Sequence, residues 1–221
     1  MKVVISGYGK MGHMIEEVLL RRGIELVEAS EDICSVPLEI ARDCVCIDFT
    51  FPESFRANYE TLAKNFKATV IGTTGWNDIK DKVIAAFVRN GKTMIYSSNY
   101  SIGVLAAEAA MERAGKILRS HGYTPSIEEI HHIHKLDAPS GTAKTMGEIV
   151  SASLGQTPEI TSIREGEVPG THTVTFRSEV DELTIRHEAF SRKGFAEGAV
   201  IAAELTEGLS GVYEFKDLII K

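Results

Sequence analysis

The sequence predicts an α/β protein with two domains: a doubly wound parallel sheet at the N-terminus and a C-terminal α+β domain with a mixed or antiparallel sheet. Three observations favour this fold. Apolar runs alternate with helical patterns over the first hundred residues. The first run ends in a glycine-rich turn that leads into a helix. Beyond residue 99 the pattern changes, and alternating runs follow one another without intervening helices.

The elements of the first domain can be assigned in order along the chain. Helical spacing predicts a first helix over Met11–Arg22, and Pro52 suits the first position of a second helix. A third helix is predicted to be capped near Asn77 or Asp78. Apolar runs predict five strands, Lys2–Ser6, Ile24–Ala29, Cys44–Phe49, Ala68–Ile71 and Thr93–Tyr96. Repeated βα units with apolar strands are typical of a parallel sheet.

The second domain covers residues 100–192, and we expect residues 193–221 to return to the first domain. The elements predicted after residue 99 are a long helix over Ile102–Arg119, an extended segment over Ile127–His134, a helix after Pro139, strands over Thr171–Phe176 and Glu182–His187, a last helix over Ala196–Leu209 and the tail Val212–Ile220. The strands without helices between them indicate a sheet that is not purely parallel.

Composition and charge exclude several classes of protein. The net charge of −7, from 24 basic and 31 acidic residues, argues against binding to a nucleic-acid backbone. No apolar run approaches the roughly 18 residues that span a bilayer. The first glycine comes too early for a signal peptide, so we expect a cytoplasmic protein that binds neither nucleic acid nor membrane. Cys34, Cys44 and Cys46 make no disulfide framework, and the last two are expected in the core.

Gly7-Tyr8-Gly9-Lys10-Met11-Gly12 fits the pattern G-x-G-x-x-G between the first strand and the first helix. Such glycines allow a tight turn and let the backbone approach a pyrophosphate, which binds at the N-terminus of the helix. Glu31 lies 19 residues beyond Gly12, at the end of the second strand, where a carboxylate can accept hydrogen bonds from a ribose diol. An ordinary glycine-rich turn is the alternative, but the context predicts a Rossmann-like, dinucleotide-binding domain over residues 1–99.

The residues around Glu31 bear on the choice between NADH and NADPH. Asp32 adds a second acid that would repel a ribose 2′-phosphate, whereas Lys10 would attract one. We therefore predict that NADH is accepted at least as well as NADPH.

Two further loops follow strands of the predicted sheet. Gly72-Thr73-Thr74-Gly75 follows the fourth strand, and Ser97-Ser98-Asn99-Tyr100 follows the fifth. Open α/β sheets bind ligands at the carboxyl ends of their strands, where small and amide side chains suit a nicotinamide ribose and carboxamide. Either loop taken alone would be an ordinary connection, but their shared edge favours contact with a cofactor.

His131, His132 and His134, followed by Lys135, are the densest group of ionisable side chains. On an extended segment His132 and His134 share one face and His131 points to the other. Imidazoles suit zinc, but no HExxH pattern or cysteine pair accompanies them, and Lys135 would oppose a divalent cation. Histidines without function are a further alternative. We favour anion binding with proton donation, and no metal.

The segment after the histidines predicts a site for a second carboxylate. Pro139-Ser140-Gly141-Thr142 is typical of a helix start, where the backbone amides of Gly141 and Thr142 can bind an anion. Asp137 is expected to cap that helix or orient Lys135 rather than act in chemistry. The pattern therefore predicts a small dicarboxylate substrate.

These residues resemble a known family. The segment from Glu129 to Ala143, EIHHIHKLDAPSGTA, is similar to the signature of the dihydrodipicolinate reductases. Further similar motifs, in the order of the family, span nearly the whole chain: the glycine loop, Ile47-Asp48-Phe49-Thr50, Gly72-Thr73-Thr74-Gly75, Ser98-Asn99-Tyr100-Ser101, Ser191-Arg192, Phe195-Ala196 and Gly198-Ala199.

The resemblance implies reduction of 4-hydroxy-tetrahydrodipicolinate to tetrahydrodipicolinate with NADH or NADPH, in lysine and diaminopimelate biosynthesis. It implies that His131 and Lys135 donate protons and that His132, Gly141 and Thr142 contact the substrate. The cofactor would lie on Gly7 to Gly12, Glu31, Gly72 to Thr74 and Ser97 to Tyr100. Residues 100–192 would bind substrate and form a homotetramer through the strand-rich stretch Thr161–His187. His134 has no assigned role.

Two departures from the family concern the cofactor. The glycine loop is one residue shorter than in many relatives, and Asp32 stands where an arginine often meets the 2′-phosphate. Three other functions remain to be distinguished: a metal-dependent hydrolase, a nucleotide sensor without catalysis, and an amino-acid dehydrogenase such as one acting on aspartate. The sensor would lose the histidines and Lys135, and the dehydrogenase lacks the His-His-x-His-Lys signature.

Overall fold

The computed structural model describes residues 1–220. The chain divides into two compact units. Unit 1 comprises residues 1–101 and 193–219, and unit 2 comprises residues 102–192 with residue 220. Each unit has a sheet and a core of its own. Among residues 1–220 no helix combines the length and apolar character needed to cross a bilayer.

The elements follow one another in a regular order in unit 1 and less regularly in unit 2. The strands are β1 (Lys2–Ser6), β2 (Glu25–Ser30), β3 (Val45–Asp48), β4 (Ala68–Ile71), β5 (Thr93–Tyr96), β6 (Thr124–His131), β7 (Glu159–Arg164), β8 (Gly170–Arg177), β9 (Glu182–Ala189) and β10 (Val212–Glu214). The helices are α1 (Lys10–Arg21), α2 (Leu38–Ala41), α3 (Pro52–Asn65), α4 (Lys80–Arg89), α5 (Ile102–Leu118), α6 (Gly141–Leu154), α7 (Lys193–Leu205) and α8 (Phe215–Ile219).

Unit 1 is built on a six-stranded sheet in the order β10-β5-β4-β3-β1-β2, and all neighbouring strands are parallel. The central strands are apolar and buried because helices cover the sheet. Helix α7 packs on α1 and against β3 and β4, and β10 adds the last strand beside β5. The predicted Rossmann-like parallel sheet is therefore confirmed.

Unit 2 contains a four-stranded sheet in the order β7-β6-β8-β9. Strands β6 and β7 are parallel, whereas β6–β8 and β8–β9 are antiparallel. One face of the sheet packs on α5 and α6, and Met111, Met146, Val174 and Phe176 form the centre of this core. The prediction of a second domain with a mixed sheet is confirmed, although β7 had not been singled out as a strand.

The predicted cap of the third helix is wrong. Residues Asn77–Ile79 form a short 3-10 turn, and α4 begins at Lys80 without a side-chain cap. The Asp78 carboxylate is instead paired with Arg56, whose Nη2 lies 2.6 Å from Oδ1. The ion pair with Arg56 thus engages the Asp78 carboxylate, which could otherwise have capped the helix.

The extended segment ends earlier than predicted. Strand β6 stops at His131, and the next backbone amides bond to the loop after β7: His132 N to Val168 O at 2.8 Å and Ile133 N to Gly166 O at 3.1 Å. A turn then brings Lys135 N to within 3.1 Å of His132 O. His132 and His134 therefore lie in a turn rather than on one face of an extended segment.

The last long helix is displaced toward the N-terminus of its predicted range. It spans Lys193–Leu205 rather than Ala196–Leu209. Thr206 ends it, because both its backbone amide and its hydroxyl bond to the carbonyl oxygen of Ala203. Strand β6 begins three residues before its predicted start, and the tail Val212–Ile220 divides into β10 and α8. The other predicted boundaries differ by at most two residues.

Candidate active site

The glycine loop of unit 1 is held in a tight turn between β1 and α1. Gly7 has a φ of +88°, and a Cβ at this position would lie 2.5 Å from the carbonyl oxygen of Phe49. A Cβ on Gly12 would lie 2.5 Å from the carbonyl oxygen of Gly7. In contrast, a Cβ on Gly9 would meet no atom within 4 Å. Gly7 and Gly12 therefore serve the turn itself, and the space in front of Gly9 is open.

The start of α1 has the features of an anion site. Gly9 is the N-cap residue, no side chain caps the helix, and its first turn contains no acidic residue. The first N–H groups of a helix have no acceptor within it and carry the positive end of the helix dipole. This twelve-residue helix thus fits the pyrophosphate of a dinucleotide.

Other side chains of the loop are directed toward α1. The Tyr8 hydroxyl donates a hydrogen bond to the Glu16 carboxylate, which raises the pKa of the phenol. The Tyr8 ring contacts the His13 ring at a tilt of 52°, with centroids 4.0 Å apart. Lys10 is exposed and Met11 is half-buried. Lys10 is thus the residue of the loop whose charge could meet a cofactor phosphate.

Glu31 and Asp32 follow β2 and are both exposed. The two carboxylates differ in their contacts. Asp32 Oδ1 accepts a hydrogen bond of 3.2 Å from the backbone amide of Cys34 and so caps the short 3-10 turn Ile33–Ser35. Asp32 therefore has a structural role besides its charge.

Asp48 organises the carboxyl edge of the sheet. It is completely buried at the end of β3, and its two oxygens accept hydrogen bonds from Ser6 Oγ at 2.7 Å and Thr73 Oγ1 at 2.6 Å. Burial raises the pKa of Asp48, while the hydrogen bonds from Thr73, Ser6 and Thr50 act in the opposite direction. One carboxylate thus ties together the ends of β1, β3 and β4.

The two other predicted cofactor loops also lie at this edge. Gly72 packs so closely against the Phe49 ring that a Cβ would overlap it, and Thr74 is exposed. In the second loop, Ser97 Oγ donates to Asn99 O at 2.6 Å, and Ser98 is exposed.

Two side chains from these loops point into the protein. The Thr73 hydroxyl donates to Asp48, and the Tyr100 hydroxyl donates to the carbonyl oxygen of Ile71 at 2.8 Å. Both side chains are buried and hold the loops in place. A cofactor on this edge would meet the backbone of these two residues and the exposed side chains beside them.

In unit 2, His131 is the last residue of β6 and is almost completely buried. Its Nδ1 lies 3.3 Å from Glu129 Oε2, and its ring meets the ring of His172 edge-on with centroids 5.0 Å apart. Burial lowers the pKa of His131, the negative charge of Glu129 opposes this shift, and the positive charges of Lys135 and Arg164 lower the pKa further.

Glu129 is completely buried beneath His131. Its Oε1 accepts hydrogen bonds from the backbone amide of Ser140 at 3.0 Å, from Ser162 Oγ at 2.7 Å and from Arg164 Nη2 at 3.1 Å. Burial alone would raise the pKa of Glu129, but these hydrogen bonds outweigh it and lower the pKa to about 2. The side chain is therefore a carboxylate at neutral pH.

Lys135 is held by its neighbours in the loop after β6. Its Nζ lies 2.7 Å from Asp137 Oδ1, and this hydrogen bond lowers the pKa of the Asp137 carboxyl. Arg164 supports the loop from β7 by donating to the carbonyl oxygens of Lys135 at 3.3 Å and Asp137 at 2.5 Å. Asp137 therefore orients Lys135 as one alternative expected, but it does not cap α6.

The cap of α6 is Ser140. Its Oγ accepts a hydrogen bond of 3.2 Å from the amide of Ala143 and lies 3.3 Å from His172 Nε2. Gly141 and Thr142 occupy the first two positions of this fourteen-residue helix, Gly141 is exposed, and the first turn contains no acid. This end of the helix thus suits a carboxylate.

Of the three histidines, His132 and His134 form one ring pair, whereas the ring of His131 meets that of His172. His132 and His134 have ring centroids 6.1 Å apart, and His134 is exposed beside Glu167, with 3.4 Å between Nε2 and Oε1. Within residues 1–220 the side chains close enough to share a cation are Glu129, His131 and His172. Arg164 already neutralises this Glu129 carboxylate, and the positive charge of Lys135 acts on His131.

Similarity to known proteins adds a decisive observation. Family models described as dihydrodipicolinate reductase match the chain in two parts, the N-terminus model over residues 1–100 and the C-terminus model over residues 103–219. The chain belongs to the dihydrodipicolinate reductase family.

The chain is similar to its sequence relatives over nearly its full length. It is similar to the 4-hydroxy-tetrahydrodipicolinate reductases of Christiangramia forsetii, with 38% identity over 99% of this chain and 98% of the relative, and of Paraburkholderia phymatum, with 33% identity over 99% of each.

Among solved structures, the fold is similar to that of the dipicolinate-bound dihydrodipicolinate reductase from Paenisporosarcina sp. TG-14, with a TM-score of 0.80, 20% identity and 99% of each chain covered. The aspartate dehydrogenase of Thermotoga maritima has a TM-score of 0.52 at 14% identity over 95% of this chain and 97% of its own, which is a likeness of fold alone.

Sequence reasoning on this reductase missed four side chains that organise its two sites, namely Asp48, Glu129, Arg164 and His172. Asp48 and Glu129 lie inside motifs that resemble those of the family, and an acid near the end of an apolar strand is a usable signal. Arg164 and His172 lie in predicted strand-rich sequence without a functional motif, so no comparable signal marks these two side chains.

Proposed function

We propose that this chain catalyses the reduction of 4-hydroxy-tetrahydrodipicolinate to tetrahydrodipicolinate with a nicotinamide cofactor, in lysine and diaminopimelate biosynthesis. The observation that carries the proposal is the arrangement in unit 2. One small network of hydrogen bonds and ion pairs contains a buried histidine, a lysine held by a carboxylate and the open start of α6. Membership of the family and the names of the full-length relatives agree with it.

The cofactor would be held by unit 1. The open space at Gly9 and the uncapped start of α1 fit a pyrophosphate, and the exposed Glu31 fits a ribose diol. The loops Gly72–Thr74 and Ser97–Tyr100 at the carboxyl edge would receive the nicotinamide end. When bound, the reduced nicotinamide supplies the hydride for the reaction.

The substrate carries two carboxylates, and unit 2 offers groups of matching charge. The ammonium of Lys135 and the backbone amides of Gly141 and Thr142 are placed to bind them, with His132 as a further contact. Asp137 and Arg164 fix the loop that carries Lys135, which reduces the ordering required when the substrate binds.

The reaction removes one water from the substrate and adds a hydride and a proton. We assign the proton to His131 or Lys135. His131 is nearly buried, so its proton is protected from exchange with bulk water, and its pKa lies below the ordinary value because of burial. Each donor is expected to contribute about 10²- to 10⁴-fold to the rate.

We also propose that NADH serves at least as well as NADPH. Glu31 and Asp32 place two exposed carboxylates at the end of β2, where they would repel a 2′-phosphate, while the exposed Lys10 is the opposing charge in the glycine loop.

A homotetramer in the cytoplasm completes the proposal. One face of the unit 2 sheet packs on α5 and α6, and the alternation of β8 directs Thr171, Thr173 and Thr175 to the other face. That face is the proposed contact, and sedimentation equilibrium tests it. A monomer at micromolar concentration contradicts the tetramer.

A coupled assay in which the substrate is generated in place tests the activity. We expect His131→Gln to lower kcat by about 10²- to 10⁴-fold with little change in KM, because the histidine acts in proton transfer. Turnover close to that of the wild type would contradict the role of His131. A loss of activity on treatment with a chelator would instead favour metal-dependent chemistry.

A further inference from the structure

The carboxylate of Glu129 has one satisfied and one unsatisfied oxygen. Oε1 accepts three hydrogen bonds, from Ser140, Ser162 and Arg164. Oε2 is buried and makes no hydrogen bond within the described residues. A buried carboxylate oxygen that accepts no hydrogen bond destabilises the folded protein, so a neighbouring group is expected to donate one to it.

The group that faces this oxygen is also unsatisfied. His131 Nδ1 lies 3.3 Å from Glu129 Oε2, is buried, and makes no hydrogen bond within residues 1–220. His172 Nε2 is farther from the same oxygen, at 3.7 Å, and lies closer to Ser140 Oγ. A proton on His131 Nδ1 would satisfy both unpaired atoms at once.

We propose that Glu129 is a positioning residue for proton transfer: its Oε2 accepts the Nδ1–H of His131 and leaves Nε2 as the nitrogen that gives the proton to the substrate. The inference rests on the proposed function, since it assigns a partner to its proton donor. The proton that leaves Nε2 converts the imidazolium into the neutral Nδ1–H form, and Glu129 stabilises both forms by the same hydrogen bond.

The packing around the ring agrees with this orientation. His131 Nε2 lies beside Gly170, where a Cβ would approach it to 3.0 Å. The absence of a side chain at residue 170 therefore leaves room at Nε2, while Nδ1 is closed off against Glu129. Strand β8 contributes Gly170 and His172 to the surroundings of one ring.

Glu129 also connects His131 to the rest of the site. The oxygen that is satisfied binds the backbone amide of Ser140, the cap of α6, and the Arg164 guanidinium, which supports the loop of Lys135. One carboxylate thus sets the position of the histidine, the lysine loop and the helix start.

Charges on several elements act on the His131 ring. They are Glu129 on β6, Arg164 on β7, His172 on β8, and Lys135 and Asp137 in the loop after β6. Glu129 raises the pKa of His131, whereas Lys135 and Arg164 lower it. Removing the charge of Glu129 therefore shifts the titration of His131 to lower pH.

The test compares Glu129→Gln with Glu148→Gln, an exposed residue of α6 in the same unit. We expect Glu129→Gln to lower kcat by about 10- to 100-fold, which is less than the loss expected on removing His131 itself. The part of the pH profile of kcat that reports the titration of His131 should move to lower pH. The double variant Glu129→Gln/His131→Gln should be no slower than His131→Gln, because Glu129 acts through His131. Glu148→Gln should behave as the wild type.

A second measurement needs neither activity nor a folded Glu129 variant. In the wild-type protein labelled with ¹⁵N-histidine, neutral His131, assigned by its absence from His131→Gln, should be the Nδ1–H tautomer. Each of three results would overturn the proposal. They are the Nε2–H tautomer in the wild type, a pH profile of kcat that does not shift in Glu129→Gln, and losses of kcat that add in the double variant. An inactive wild type would overturn the proposed function instead, whatever the tautomer.

Discussion

Acid should weaken unit 2 through the protonation of Glu129. This carboxylate has a pKa of about 2 in the folded chain against an ordinary value of 4.5, and its side chain is completely buried. Because the folded pKa is depressed, the stabilisation is present above about pH 4.5 and is lost as the pH falls toward 2. At about 1.4 kcal/mol for each pKa unit, the difference corresponds to about 3 kcal/mol, of which roughly 2 kcal/mol is lost at pH 3.

Urea unfolding of the wild type and Glu129→Gln, followed by circular dichroism, measures this loss. The variant cannot titrate at residue 129, so the difference in free energy of unfolding between the two proteins should shrink by about 2 kcal/mol between pH 7 and pH 3. Glu148→Gln, at an exposed position of α6, corrects for the general effect of removing one carboxylate from unit 2. A difference that stays constant over this range would refute the buried, hydrogen-bonded carboxylate.

Three further predictions concern unit 1. Gly198→Ala would place a Cβ against the carbonyl oxygen of Tyr100 and should lower the free energy of unfolding by about 1–3 kcal/mol. Gly194→Ala on the same helix is the control, because its Cβ would lie 3.8 Å from the nearest atom and should cause no such loss. Equal denaturation midpoints for the two variants would contradict this packing. Gly9→Ala meets no protein atom, so it should fold normally yet raise the Kd of NADH at least about ten-fold by calorimetry, and an unchanged Kd would exclude the glycine loop as the pyrophosphate site. Asp32→Asn keeps the oxygen that accepts the hydrogen bond from the Cys34 amide but removes the negative charge. It should raise the ratio of kcat/KM for NADPH to that for NADH by about five-fold. An unchanged ratio would show that Asp32 does not discriminate between the two cofactors.

The sequence predicted unit 1 well because its signals are local. The turn at Gly7, the open position at Gly9 and the close packing at Gly12 all follow from one short pattern between a strand and a helix. Apolar strands of four to six residues likewise identify a buried parallel sheet. Such features need no knowledge of distant parts of the chain.

The network around Glu129 could not be predicted in the same way. It joins residues of β6, β7 and β8, and its geometry depends on the register that sets Glu129 opposite Ser162 on one side and His172 on the other. That register results from the packing of the whole sheet. The choice between the two roles expected of Asp137 is different, because Ser140 is an equally good N-cap residue in the same motif and indicates that Asp137 is left to orient Lys135.

The coupled reduction assay on the purified wild-type chain is the most direct test of the proposed function. Oxidation of NADH, followed by the loss of nicotinamide absorbance, should require 4-hydroxy-tetrahydrodipicolinate and should be inhibited competitively by dipicolinate, a planar dicarboxylate. Oxidation that does not depend on the substrate, or the lack of any oxidation with either NADH or NADPH, would contradict the assignment of this chain as a reductase.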